Sequence, residues 1–156
     1  MIQRIQTIYL ALAAILLLVP VAFRMSLATL SIPNGEYHLT PVTVSLITKV
    51  SSQTVFGSYS IAIGFVLSLL LTVYAIFQFK DRKFQMRLVQ MSMILQPIIG
   101  IMVLYYASKM AEFSDKASLA YQPTLAVLAL TLVLYYLAYR GIRKDDALVR
   151  SADRLR

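Results

Sequence analysis

Residues 57–79 read GSYSIAIGFVLSLLLTVYAIFQF and lie inside a run of 30 uncharged residues between Lys49 and Lys80. A helix rises about 1.5 Å per residue and the hydrocarbon core of a bilayer is about 30 Å thick, so roughly 20 such residues cross it. Gly57 to Phe79 therefore reads as a transmembrane helix. Three further uncharged gaps have spanning length: 19 residues between Arg4 and Arg24, 21 between Arg87 and Lys109, and 23 between Lys116 and Arg140. The first is longer than the apolar region of a typical cleavable signal peptide, and no compact A-x-A site follows it, so it reads as a span. The expected fold is an all-α membrane protein, a four-transmembrane-helix bundle forming a single domain over residues 1–156. Its spans fall at about 5–23, 57–79, 88–108 and 117–139, with an outer loop at 24–56 and a tail at 140–156.

Composition agrees with lipid as the solvent. Hydrophobic residues make up 59% and charged residues 14% of the 156, and the mean hydropathy is +0.71. A soluble domain carries about a quarter charged residues, so a polar surface of ordinary extent is excluded. With no cysteine, a disulfide scaffold and thiol redox chemistry are excluded too.

Lys and Arg set the orientation. The side holding both termini and the 80–87 turn carries 11 of the 15 basic residues, and its net charge is +7 against +1 on the other side. Both termini are expected in the cytoplasm, and the +8 total is a topological signal with some attraction to anionic headgroups. Nucleic-acid binding is not needed to explain it. Nine of the ten tyrosines fall in the spans, and those toward the ends, Tyr9, Tyr59, Tyr105, Tyr106, Tyr121, Tyr135, Tyr136 and Tyr139, read as an interfacial belt.

Lipid gives helices no hydrophobic reason to associate, so close packing depends on small residues and interhelical hydrogen bonds. Ser60, Gly64, Ser68 and Thr72 recur at i+4 and share one face of the second span, the expected packing seam. Gln96, Pro97 and Gly100 mark the third span, where a mid-helix proline removes a hydrogen bond. Gln96 must then face protein or water: an interhelical hydrogen bond beside a kink, or, with Gln90, a polar constriction in a pathway.

The loop at 24–56 has its own texture. SLATLSI, PNG, EYHLT and PVTVSLIT place β-branched runs around Asn34-Gly35, with alternation at Val42, Val44 and Leu46, and predict an outer hairpin. Pro33 and Pro41 are expected to restrict it to edge-like pairing; a disordered loop is the alternative. In the tail, GIRKDDALVRSADRLR, Asp145 and Asp146 favour the start of a short helix. It carries Leu148 and Leu155 beside Arg143, Lys144, Arg150 and Arg156. The tail suits either the inner membrane surface or docking to a cytosolic partner.

Reactive chemistry is sparse. His38 is the one histidine and reads as a solvated loop residue. No acidic or basic residue lies deep in a span, which removes the usual machinery of proton-coupled transport. Glu112 and Asp115 read as a solvated link with Lys109 and Lys116. No catalytic, cofactor or metal residues are expected, and the chain reads as no enzyme.

The opening MIQRIQTIYL and the closing RKDDALVRSADRLR resemble a four-span membrane-protein family of Bacteroidota known only as a domain of unknown function. The resemblance implies the inner membrane of a Gram-negative bacterium and supplies no activity or cofactor. Two functions are carried forward. One is a non-enzymatic subunit or adaptor of a membrane assembly that docks a membrane or cytosolic protein through its tail. The other is a small oligomeric channel or transporter, and homo-oligomerisation stays open under both.

Overall fold

The computed structural model describes residues 5–33, 35–48, 51–79, 81–113 and 118–153, and side chains as far as Val149. Along the chain it forms α1 (Ile5–Ala22), β1 (Ala28–Ile32), β2 (Gly35–Leu39), β3 (Thr43–Thr48), β4 (Ser52–Gly57), α2 (Tyr59–Phe77), α3 (Arg82–Ala111), β5 (Ser118–Tyr121) and α4 (Ala126–Asp153). A 3₁₀ turn at Pro123–Leu125 leads into α4. The fold is a mixture of helix and sheet, so the all-α expectation is wrong.

Each helix is long and apolar enough to cross a membrane. Each also buries one narrow stripe: Gln6, Leu10, Ala13, Leu17 and Pro20 on α1; Ile61, Phe65, Ser68, Thr72 and Ala75 on α2. Ile99, Val103, Ala107 and Met110 continue α3, and Leu128, Thr131, Tyr135, Ala138 and Ile142 belong to α4. Steps of three and four keep such a stripe on one side of each helix, facing its neighbours. The helices form a ring in which each packs on its sequence neighbours and α1 closes against α4. Between 28% and 33% of each apolar window is buried, so the rest of the chain leaves most of each helix's apolar surface uncovered.

The strands form one antiparallel sheet in the order β4-β3-β2-β1-β5. A strand alternates faces at every residue, and the register converts this into rows. Tyr121, Ala28, Leu39, Val44 and Phe56 lie side by side, as do Leu119, Leu30, Tyr37 and Leu46. These apolar rows face the bundle: Tyr37 stacks on Phe113 at 5.5 Å and Phe56 on Tyr106 at 6.1 Å. The rows between them, Thr29–His38–Ser45–Thr54 and Ser31–Glu36–Ile47–Ser52, make a mostly polar opposite face. The sheet thus caps the end of the bundle where α1 and α3 finish.

Two corrections concern these strands. The expected lone hairpin is two strands of five, and Pro33 and Pro41 sit in the connections, so β2 pairs on both sides instead of lying at an edge. Asn34 lies outside the described residues. Gly35 is required by close approach, because a Cβ there would stand 2.6 Å from the Ile47 carbonyl oxygen. Residues 118–121, expected at the start of the fourth span, form β5 and pair with β1. Proline explains the difference, since it favours the first turn of a helix and pushes the residue before it into extended backbone. Gln122 has φ −84° and ψ 150°, and the helical path starts at Pro123.

Joints between layers are hydrogen-bonded. Arg24, at φ 47°, ends α1 with Met25 N–H donating to Pro20 (3.1 Å) and Arg24 N–H to Val21 (3.4 Å), a Schellman pattern. Ser58, fully buried, donates its hydroxyl to the Thr40 carbonyl at 2.8 Å and ties α2 to the sheet. Asp81 caps α3 by accepting from Phe84 N–H at 3.1 Å.

The β1–β5 pairing predicts a cross-link. Ser31 and Ser118 are directly opposed and exposed, and such a pair has a Cα separation of about 4.5–5.5 Å, which a disulfide accepts. Ser31→Cys with Ser118→Cys should close on mild oxidation, seen as a gel shift reversed by reductant. Ser31→Cys with Ala120→Cys, about 7–8 Å apart on the diagonal, should close far less; equal yields would contradict the register.

Candidate functional site

Buried polar side chains from α2 and α4 converge on Gln96. It extends from the middle of α3, 1% exposed, where Pro97 has no N–H to give the preceding turn. Its Nε2 donates to Ser68 Oγ on α2 at 2.9 Å, and its Oε1 accepts from Thr131 Oγ1 on α4 at 3.1 Å. Tyr135, one turn beyond Thr131, reaches across the ring to α2, with its hydroxyl 3.2 Å from Ser68 Oγ and 2.5 Å from Thr72 Oγ1. Thr72 also donates back to the Ser68 carbonyl at 2.7 Å. Three helices are joined by one cluster whose donors and acceptors satisfy each other.

The i+4 face of α2 divides its work along its length. Ser60 shares a 2.9 Å hydrogen bond with Tyr106 near the sheet. Gly64 sits against Ile99, where a Cβ would meet Ile99 Cγ1 at 2.9 Å, so α2 and α3 approach closely here. Ser68 and Thr72 join the Gln96 cluster. Pro97 faces outward, and Gly100 is half-buried opposite Leu128. Gln90 is exposed and is not brought to Gln96, so the two do not line one path.

Several interior residues were missed from sequence. Tyr135, assigned to the interfacial belt, is fully buried, while Tyr59, Tyr105, Tyr121 and Tyr136 are exposed. The signal was Thr131 one helical turn before it on the same face. Gln85, beyond the Arg87 boundary of the gap, donates to the Ala75 carbonyl at 2.9 Å. That carbonyl lies in the last turn of α2, where helix acceptors lack partners.

On the polar face of the sheet, Ser26 Oγ lies 3.1 Å from His38 Nδ1, and Glu36 Oε2 lies 3.4 Å from His38 Nε2. The order resembles a nucleophile–base–carboxylate relay. However, the Glu36 side chain is 56% exposed, so water screens the pair and no dry pocket favours an oxyanion. Its evident role is to fasten the start of β1 to β2. Among the described residues no group of His, Asp and Glu is arranged to hold a metal ion.

The tail is not a separate helix. α4 runs unbroken to Asp153, about 20 Å past Arg140 at 1.5 Å per residue. Ile142 is fully buried, while Arg143, Lys144 and Leu148 are exposed. Arg150 lies within the helix, and Leu155 and Arg156 lie outside the described residues. Arg82 Nη1 approaches the Asp145 carbonyl at 3.5 Å, and α1 packs on the other flank.

The profile of a family described as Domain of unknown function (DUF4293) matches residues 2–155. The chain belongs to this family. No curated protein matches it. For this DUF4293 chain the membership covers nearly the whole length, so sheet, bundle and α4 extension belong to one family unit.

Replacing Gln96 by Leu leaves Ser68 with Tyr135 and Thr131 with its own helix carbonyls, so the loss should be modest. Gln96→Leu should lower stability in detergent by about 1 kcal/mol, and a cycle with Ser68→Ala should show coupling of about 0.6 kcal/mol. Additive losses would show that the two do not act as a pair.

Proposed function

We propose that this protein is a non-catalytic subunit or adaptor of a bacterial inner-membrane assembly, with both termini cytoplasmic and the sheet in the periplasm. The observation that carries the reading is the contrast between the interior and the α4 extension. Inside the bundle, the Gln96 cluster is occupied by its own hydrogen bonds, which leaves little polar surface for a solute or substrate. Beyond it, α4 continues as a helical arm with Arg143, Lys144 and Leu148 exposed on it. A prefolded arm loses little entropy on docking, which favours partner recognition.

Orientation follows the distribution of cations. Arg82, Lys83, Arg87, Arg140, Arg143 and Lys144 lie at the end opposite the sheet, where Arg24 and Lys109 are the described cations at the sheet end. That asymmetry supports the cytoplasmic assignment. The Bacteroidota resemblance supports a Gram-negative inner membrane. An oligomeric channel is the second reading, favoured by Gln90 facing outward from α3, where a partner copy would satisfy its carboxamide.

Two measurements test this. The chain has no cysteine, so Glu36→Cys and Arg143→Cys each supply a lone thiol. In intact spheroplasts a membrane-impermeant maleimide should label the first and not the second; the opposite pattern would invert the topology. In mild detergent, the native complex should run larger than the protomer and lose its partner when residues 144–156 are removed, a cut that spares buried Ile142. An unchanged complex would defeat docking through the arm, and a complex of identical chains broken by Gln90→Leu would favour the channel.

A further inference from the structure

At the end of the bundle away from the sheet, a cleft of about 560 Å³ lies between α1 and α4. Ile5, Tyr9, Leu137 and Leu148 supply apolar wall, the nearly buried Gln6 lies beside Gly141, and Arg140 and Lys144 stand on the α4 side. We propose that this cleft seats the headgroup of an anionic phospholipid, with its phosphate between Arg140 and Lys144 and its first methylenes against Leu137 and Tyr9. The inference rests on the four helices lying in a bilayer and does not depend on the adaptor role.

Position, charge and shape each support this occupant. Arg140 ends the uncharged run of the fourth gap, which puts the cleft at headgroup depth, where Tyr9 and the basic side chains reach the interface. Arg140 and Lys144 are one turn apart and so project from the same side of α4; Asp145 also lines the cleft and leaves an excess of one positive charge there. A guanidinium and an ammonium together suit a phosphodiester, the first by its forked donors and the second as a point charge. The cleft combines apolar wall with two cations, as a phosphate and its first methylenes together require. A free anion would leave the apolar wall unused, and a wholly apolar ligand would leave both cations unpaired. Basic pockets between helices at the membrane surface are a recurrent way to hold anionic lipids.

The test uses the full chain in mild detergent and native mass spectrometry. The probes are phosphatidylglycerol, phosphatidylethanolamine with the same acyl chains, and inorganic phosphate. Phosphatidylglycerol should be retained in preference to phosphatidylethanolamine, and excess phosphate should not displace it. Arg140→Gln with Lys144→Gln should weaken it about 30-fold, roughly fivefold per cation removed. Arg143→Gln, an exposed cation on the same helix that does not line the cleft, should change it by less than about twofold. Equal retention of both lipids, displacement by phosphate, or an equal loss in Arg143→Gln would overturn the proposal. So would a polypeptide cross-linked from Leu137, inside the cleft, in native membranes. Lipid discrimination by the unaltered protein decides the matter even if the double variant fails to fold. A chain that stays monodisperse without detergent would refute the bilayer reading itself, a separate outcome.

Discussion

In hydrocarbon there is no water to accept a stray hydrogen bond, and this chain, with four helices apolar enough to cross a bilayer, is built as that constraint requires. Backbone groups meet it by forming helices, since an open sheet edge cannot lie in lipid. Side chains meet it by pairing: Gln96 bridges Ser68 and Thr131, and Tyr135 crosses the ring to Ser68 and Thr72. Because apolar contact alone does not distinguish helix from lipid, these bonds, with the close approach at Gly64, set which faces meet and at what depth.

The same constraint explains where the sheet is. Five strands in one layer have two edges and a polar face, tolerable only beyond the hydrocarbon, and the sheet stands past the ends of α1 and α3. Its apolar rows close over the bundle through Tyr37, Phe56, Tyr106 and Phe113, and this burial is hydrophobic in the ordinary aqueous sense. β5 has a second role. Four residues paired with β1 hold the entry to α4 against the segment that leaves α1, so the last helix is fixed to the first at this end by backbone hydrogen bonds. The β-bulge between β3 and β4 adds local twist next to the far edge, a feature that discourages pairing with other chains.

Uncharged gaps made the four apolar segments legible, because lipid tolerates few charges over a spanning length. The same criterion hid the remainder. It cannot separate a short uncharged strand from a helix, so Ser118–Tyr121 passed as membrane sequence although Pro123 marked the true start. It treated Arg87 and Arg140 as ends, although α3 begins at Arg82 and α4 continues to Asp153; charges end the contact with lipid and leave the helix intact. The sheet was only half visible, since β1 and β2 are adjacent in sequence while β1 and β5 are separated by two whole helices. At the polar cluster, Gln96 and the small residues of α2 stood out by their chemistry. Tyr135 did not, because a tyrosine near a span end suits the interface equally well and only the partners on α2 decide that it turns inward.

α4 is the element through which the two ends meet. At one end it is anchored by β5 and the 3₁₀ turn, at mid-depth by Thr131 and Tyr135, and at the other end by Ile142 and the start of α1. A pull on the extension would be resisted at each level, and sliding α4 past α2 would break both buried hydrogen bonds of Tyr135, which hydrocarbon would not replace. Signalling proteins generally place their moving element where alternative contacts cost little. Here the arrangement favours holding a fixed shape over passing a displacement across the membrane, which suits the proposed adaptor better than a gated pathway. A lipid in the cleft between α1 and α4 would act in the same sense, adding contacts between the two helices at that end.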